Sequence, residues 1–388
     1  MSSSYSDIIK KIKNDWKCDN LMKGIETQRG EKIPFSSPKM NYSTYGGIPR
    51  DGITELYGEP GGGKTTTAID LCKNACVMFR DEFDAEVASL RSFVSQGNKT
   101  VAGELQDLLD RGPKKVLYID LEHSFDQAWA HTLGIDQSEI DIMQPPDIFA
   151  EDLLNTVLDI ISTDEIGLIV LDSIPSLVPK AEVEKKLGER TVASLAGLMT
   201  VFCRKVVPLL SRHHTTMIFI NQIRDNMDNP YVVKTPGGNA IKFYSSLRIY
   251  FRIGNPVDFL GNELPMSTEN PAGYIVNAKI TKQKTAPHDR KTATYYLMAQ
   301  SGIRPDYDYA NLAIKTYGII RKAGAWFTLT DPTTGEVLEA DGKIVKLNGL
   351  SRVYEYLKEN NEYYEKVRDY IWNDINGNTE TEAISDSL

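Results

Sequence analysis

The string Gly58-Glu59-Pro60-Gly61-Gly62-Gly63-Lys64-Thr65, with Thr66 behind it, fits G-x-x-x-x-G-K-[ST] in full. Glycines at these places let a backbone wrap so that successive N–H groups point at phosphate oxygens, and a following helix adds its positive end. Lys64 would bring charge to the β and γ phosphates of a nucleotide, and the Thr65 hydroxyl would reach a Mg²⁺ ion. A glycine-rich turn that merely ends in Lys-Thr is the plainer alternative. The strand-like ITELY before the motif and the helical pattern after it count against that alternative. A second acid follows an apolar run in LIVLDS, where Asp172 would hold a Mg²⁺ water. Many buried strands end in Asp, so this signal gains force only beside the glycine-rich loop. VLYIDLEH carries Asp120 and Glu122, and Glu122 is placed to orient or deprotonate an attacking water. From spacing alone, a solvated carboxylate at a strand end would serve as well.

Chemistry of this kind needs elements that bring distant strand ends together. Short β-type runs over 53–57, 115–120, 166–172 and 217–221 alternate with helical patterns, which argues for a parallel sheet with crossover helices. Leu168 to Leu171 and Ile218 to Ile220 are uniformly apolar, as strands covered on both faces should be. Between Cys76 and Lys114, apolar residues at helical spacing (Phe83, Val87, Leu90, Val94, then Val101, Leu105, Leu108, Leu109) predict two amphipathic helices separated at Gly97-Asn98. A run over 351–372 predicts one long aromatic-rich helix after a Gly/Asp-rich turn region at 330–342. The expected organisation is a helical element and linker over 1–31, a core over 32–324 with an insertion at 77–114, a small α+β lobe over 325–376, and a flexible acidic tail over 377–388.

Charged residues make up 25% and hydrophobic ones 41% of the 388, which is ordinary for a globular protein and excludes disorder. No apolar run approaches the roughly 18 residues of a spanning helix, and the first residues lack the apolar stretch of a secretion signal, so a cytoplasmic protein with no membrane partner is expected. Cys18, Cys72, Cys76 and Cys203 have neither disulfide-framework nor zinc spacing and are read as reduced packing residues. The net charge of −9 leaves nucleic acid open, because phosphate contact depends on local Lys and Arg.

Further strings, in order, are IDLEHSFDQAWAHTLGID, VLDSIPSLVPKAEVEKKLG, IFINQIR, TPGGNAIKFYSS, KQKTAP and RKAGAWF. With the P-loop they make the chain, over about 32–372, similar to the RecA family of homologous-recombination ATPases. The resemblance implies a RecA-type P-loop core of α/β class with a mostly parallel central sheet, a small N-terminal element and a small α+β C-terminal lobe. It implies ATP and Mg²⁺, with Glu122 as catalytic carboxylate, Gln222 as γ-phosphate sensor, and Asp126 and Trp129 at the adenine. Lys282 and Lys284 match lysines that reach the ATP of the next subunit in a filament, and Phe243 beside Lys242 matches an interface aromatic. Two DNA-binding loops fall at 182–192 and 224–236, with Lys185, Lys186 and Arg190 in the first and Arg224 and Lys234 in the second. Arg204, Gly237, Gly238 and Asn239 are counted with them.

The implied activity is that of a DNA-dependent ATPase that polymerises on single-stranded DNA and catalyses pairing and strand exchange with a homologous duplex. Mediator and single-strand-binding proteins are implied partners. A hexameric helicase with the same core and an ATP-switched structural filament on single strands are the alternatives. KAEVEKKLG and TPGGNAIKFY disfavour the helicase, and intact Lys64, Glu122 and Gln222 disfavour the passive filament. The sequence departs from bacterial members in a shorter second loop, in Val192, in Gly197 where an arginine is expected, and in the insertion. Those departures point to a phage-type, UvsX-like subgroup.

Overall fold

A computed structural model describes residues 30–96, 99–183, 194–224, 233–340 and 342–377. Residues 1–29 of the element and linker expected over 1–31, and residues 378–388 of the tail expected over 377–388, lie outside them. The described residues from 32 to 377 group as one compact unit.

The strands of the main sheet, in chain order, are β1 (Ile53–Gly58), β2 (Lys115–Asp120), β3 (Ile140–Met143), β4 (Ile166–Asp172), β5 (Thr216–Gln222), β6 (Leu247–Val257), β7 (Gly273–Gln283), β8 (Thr292–Met298) and β9 (Gly302–Ile303). Their spatial order is β9-β8-β7-β6-β1-β5-β4-β2-β3. All pairs from β6 through β1, β5, β4 and β2 to β3 are parallel, and β7, β8 and β9 extend the sheet antiparallel. The parallel half has the predicted character because both faces are covered. Leu56, Val116, Tyr118, Leu168, Val170, Ile218 and Ile220 enter one core, while Ile53, Leu117, Ile119, Ile169, Leu171, Met217 and Phe219 enter the other. Side chains two apart share a face, so a strand buried on both sides must be apolar throughout. Register then aligns strand ends, with Gly58 opposite Gln222 and Asp120 opposite Asp172.

Helices α1 (Pro38–Thr44) and α2 (Lys64–Ser95) lie on the first face, α2 contributing Ala68, Leu71, Cys72, Ala75 and Phe79. Then come α3 (Lys99–Arg111), α4 (Gln127–Thr132), α5 (Ala150–Ser162), α6 (Ser194–Arg212), α7 (Gly238–Tyr244) and α8 (Pro305–Lys315). The second face is covered by α5 and α6. The first predicted insertion helix is not separate: it continues the helix that starts at Lys64 for 32 residues without a break. No Gly or Pro lies inside that stretch, so nothing in the backbone stops it. The two helices lie against one another, with Val87 of α2 and Leu108 of α3 both buried.

The aromatic run near the C-terminus is two helices, α9 (Leu350–Glu359) and α10 (Asn361–Ile375), broken at Asn360. They close a third core with a small sheet of β10 (Ile320–Ala323), β11 (Trp326–Leu329) and β12 (Lys346–Asn348), whose first strand precedes residue 324. Asp374 belongs to α10 and accepts from the Tyr317 hydroxyl at 2.7 Å. By length and composition alone helix α6 is apolar enough to cross a membrane, as the core helix of a globular protein can be. Its Met199, Phe202, Cys203, Val206 and Leu210 are buried against the sheet, while Arg204 and Lys205 are exposed. Cys72, Cys76 and Cys203 are buried free thiols, and burial pushes the thiols of Cys76 and Cys203 up to about 12, which fits packing residues.

Candidate active site

The loop from Gly58 to Lys64 is shaped by contacts that exclude side chains. A Cβ at Gly58, where φ is +154°, would lie 2.0 Å from the Phe251 carbonyl oxygen. Gly63 caps α2 in a left-handed conformation, and its Cβ would meet the Tyr295 hydroxyl at 3.2 Å. Gly61, also left-handed, faces open space beside exposed Pro60. No side chain caps the first turn of α2, so its N–H groups are left for an anion. The Lys64 ammonium is buried and donates to the carbonyl oxygens of Gly58 at 3.1 Å and Glu59 at 2.6 Å. Burial pulls its pKa down, against Asp172, Glu122 and Glu59, which favour the charge. A buried cation at the uncapped start of a helix suits a phosphate chain. Glu59 is held from outside by the Tyr250 hydroxyl at 3.2 Å.

Behind the loop, one oxygen of buried Asp172, Oδ2, accepts from the Thr65 hydroxyl at 3.1 Å and from the Tyr118 hydroxyl at 2.6 Å. Burial pushes the Asp172 carboxyl up to about 6, partly offset by the Tyr118 hydrogen bond. Among the described residues no three His, Cys, Asp or Glu side chains cluster as a metal cage. Mg²⁺ asks for none, since it keeps its waters and takes one or two protein oxygens beside phosphates. Thr65 with Asp172 is a donor set of that kind.

Asp120 organises the strand end next door. Its carboxylate accepts from Gln144 Nε2 at 2.8 Å and from the backbone N–H groups of Phe125 (2.9 Å), Ser124 and Glu122 (both 3.2 Å). Burial alone would raise its pKa, but these bonds outweigh burial and lower it. The loop so held presents Glu122, whose Oε1 accepts from Gln222 Nε2 at 3.2 Å and from the Ser173 hydroxyl. Glu122 and Gln222 are exposed, open to a ligand. Asn221, one residue back and buried, donates to Glu55 and to the Pro236 carbonyl, both at 3.0 Å, tying the end of β5 to the turn before α7.

Trp129 approaches the cradle, its indole N–H donating to the Thr66 hydroxyl at 3.2 Å. Asp126 uses its Oδ1 to cap α4 through the Trp129 N–H at 3.0 Å, a local role that needs no ligand. Lys282 and Lys284 are not brought to the loop of their own chain. Both ammonium groups donate to the Phe243 carbonyl at 2.8 Å, and Lys282 also donates to that of Lys242. They therefore sit at the negative end of α7, beside a Phe243 ring that is 72% exposed. Burial and the adjacent Lys284 pull the Lys282 ammonium down to about 8.

Lys185, Lys186 and Arg190 lie outside the described residues. Arg224 and Lys234 pair as an antiparallel bridge at the root of the second loop, N–H to carbonyl at 2.9 Å, and both are exposed. Gly237 and Gly238 are needed by packing: a Cβ would lie 2.5 Å from Ile241 Cδ1 in the first case and 2.7 Å from Ala196 Cβ in the second. The second contact joins the roots of the two loops. Asn239 and Arg204 are exposed. Sequence reasoning missed Tyr118, Ser173, Gln144 and the buried ion pair of Arg248 with Glu55. Only Tyr118 left a signal, a hydroxyl two residues before Asp120 on the same strand face.

The family model described as the RecA N-terminal domain matches residues 86–304. The chain is 32% identical over 326 residues to protein RecA of Thermus aquaticus, covering 83% of this chain and 79% of that one. It is 31% identical over 347 residues to protein RecA of Bacteroides thetaiotaomicron, covering 88% and 91%, and 31% identical over 345 residues to protein RecA of Thermus thermophilus, covering 88% and 84%. These relatives are bacterial and lend no support to the phage-type subgroup.

Proposed function

From the premise that this chain belongs to the RecA family, we propose that it is a DNA-dependent ATPase that assembles on single-stranded DNA and carries out homologous pairing and strand exchange in recombination and repair. The observation that carries this reading is the meeting, at the aligned strand ends, of the Thr65–Asp172 pair and the Glu122–Gln222 pair. Lys64 and the first turn of α2 bind and orient the phosphates. Mg²⁺, when bound at Thr65 and Asp172, neutralises charge on the transferring phosphoryl group. Glu122 accepts the proton of the attacking water, and Gln222, hydrogen-bonded to Glu122, carries the state of that carboxylate to the second DNA loop through β5. Trp129, with Asp126, covers the adenine.

The second half of the reading is assembly. Lys282 and Lys284 serve a neighbour's ATP across an interface that includes Lys242 and Phe243, and the loops at 182–192 and 224–236, with Arg204 and Gly237 to Asn239, contact DNA. The same reading includes a cytoplasmic setting, the division into an N-terminal element, core, C-terminal lobe and acidic tail, and mediator and single-strand-binding partners. Placement in a phage-type subgroup rests only on the sequence departures. Phosphate release with and without single-stranded DNA, run beside electron microscopy, is the test. DNA-stimulated turnover on open filaments is expected; closed hexamers would point to a helicase, and filaments without turnover to a structural coat.

A further inference from the structure

Glu55 of β1 is wholly buried, on the strand face that Ile53 turns into the core under α5 and α6. A carboxylate in such a place is costly unless its oxygens are paired, and a buried ion pair adds little net stability over an apolar filling. Both oxygens of Glu55 have partners. Oε1 accepts from Asn221 Nδ2 at 3.0 Å, and Oε2 accepts from Arg248 Nε. Strand β1 lies between β5 and β6, with Glu55 opposite Phe219 on one side and Arg248 on the other, so one side chain reaches both neighbouring strands.

Each partner leads to a different working part of the molecule. Asn221 precedes Gln222 and commits its whole amide to three bonds. Its Nδ2 donates to Glu55 and to the Pro236 carbonyl, and its Oδ1 accepts the Gln222 N–H at 3.0 Å. Pro236 ends the second loop just ahead of α7. Three bonds fix the plane of an amide, so a shift of Pro236 turns Asn221 about its Glu55 bond and carries the Gln222 backbone with it. Arg248 leads the other way. Its guanidinium lies over the Tyr57 ring at 4.5 Å, and it stands opposite Lys282 in the β6–β7 ladder. The Tyr57 hydroxyl donates to Thr281 Oγ1 at 3.0 Å, and that hydroxyl donates to the Arg248 carbonyl at 3.2 Å, which ties the strand carrying Lys282 to β1 across β6. Burial, Lys284 and Arg248 lower the Lys282 pKa, and Glu55 opposes them.

We propose that Glu55 is a positioning residue that joins the root of the second loop to Gln222 and, through Arg248, to the strand that carries Lys282. The proposal rests on the reading above, in which the second loop meets DNA while Gln222 and Lys282 act at nucleotides. A purely stabilising role would be met as well by apolar side chains at these positions, which fill the same space with no charge to desolvate. Such a filling would leave Gln222, Pro236 and Lys282 without a common anchor. With Glu55 in place, DNA that displaces the Pro236 end of the loop moves Gln222 against Glu122 and is felt at Lys282, on the side offered to a neighbour.

The test is steady-state phosphate release by the full chain and by its Glu55→Gln and Asn221→Ala variants, each with and without saturating single-stranded DNA, beside thermal melts and the KM for Mg·ATP. In Glu55→Gln the side chain keeps its shape, but an amide cannot accept from both Asn221 Nδ2 and Arg248 Nε through two oxygens, so one of the two bonds is lost. Asn221→Ala cuts the link to Pro236 and leaves the ion pair whole, and it decides the matter where Glu55→Gln protein does not fold. In both variants, DNA-free turnover and KM within about twofold of the parent's are expected, with DNA-stimulated kcat lower by about tenfold. Stimulation kept at the parental level in a folded variant, or DNA-free and DNA-stimulated rates lowered by one common factor, would overturn the proposal alone. A parent chain that DNA does not stimulate would overturn the assigned activity, and the proposal with it.

Discussion

The two halves of the main sheet handle polar groups in opposite ways. In the parallel half, strand interiors are largely apolar, Thr54 and Glu55 of β1 being buried exceptions, and Asp120, Asp172 and Gln222 sit at the strand ends on a rim with the phosphate loop. In the antiparallel half, polar residues line a strand face and the two cations that could act on ATP, Lys282 and Lys284, are turned onto the end of α7. On the proposed reading, one chain would assemble the nucleotide-holding part of a site in advance and keep the charge-supplying part elsewhere. Hydrolysis that waits for a neighbour requires that separation, because cations already at the γ-phosphate would stabilise the transition state in the free subunit.

The largest effect expected is from Lys64→Ala. It removes the one buried cation of the cradle and should abolish both tight nucleotide binding and turnover, read by equilibrium binding of a fluorescent nucleotide and by phosphate release. Turnover near that of the parent would break the assignment of the parallel half. Next is Glu122→Gln, which keeps the shape beside Gln222 and Ser173 and loses the base; about 10²–10⁴-fold slower hydrolysis with near-normal ATP binding is expected. If binding fails with it, Glu122 is a structural residue.

The pair Lys282→Ala with Lys284→Ala bears directly on the separation. DNA-stimulated turnover should fall by about 10²-fold, while a thermal melt of the free chain stays close to the parent's. Mixing that variant with Glu122→Gln protein should recover part of the activity, since some interfaces then join an intact Glu122 to the other chain's intact lysines. Absence of recovery in mixtures that co-assemble by microscopy would assign the lysines to their own subunit or to DNA.

The smallest effect concerns Tyr118→Phe. Losing the hydroxyl removes a hydrogen bond that lowers the Asp172 pKa, so a carboxyl already at about 6 moves higher. The metal needs the carboxylate, and protons compete for it below the pKa, so the Mg²⁺ concentration for half-maximal nucleotide binding should rise few-fold, more at pH 6 than at pH 8. A Mg²⁺ requirement that is unchanged at both pH values would show that Thr65 alone orients Asp172. The buried phenol makes one hydrogen bond there, so its loss should cost only about 1 kcal/mol of stability, checked by denaturant unfolding.

The sequence by itself determined whatever depends on neighbours along the chain. The phosphate loop is legible because its glycines, Lys64 and Thr65 are consecutive and their geometry is a local turn into a helix. The buried parallel strands are legible because a run such as Ile166–Asp172 must be apolar on both faces. Helix continuity was harder: the Lys64–Ser95 helix carries two kinds of surface, a buried first half and a largely exposed second, so a change of pattern looked like a break. Tertiary structure alone decided what depends on register and crossover. That Tyr118 and Thr65 share one oxygen of Asp172, that Ser173 meets Glu122, and that Lys282 and Lys284 both end on the Phe243 carbonyl are consequences of which strands lie side by side. No periodicity records such pairings, because each joins residues many positions apart through a sheet order that the chain adopts only on folding.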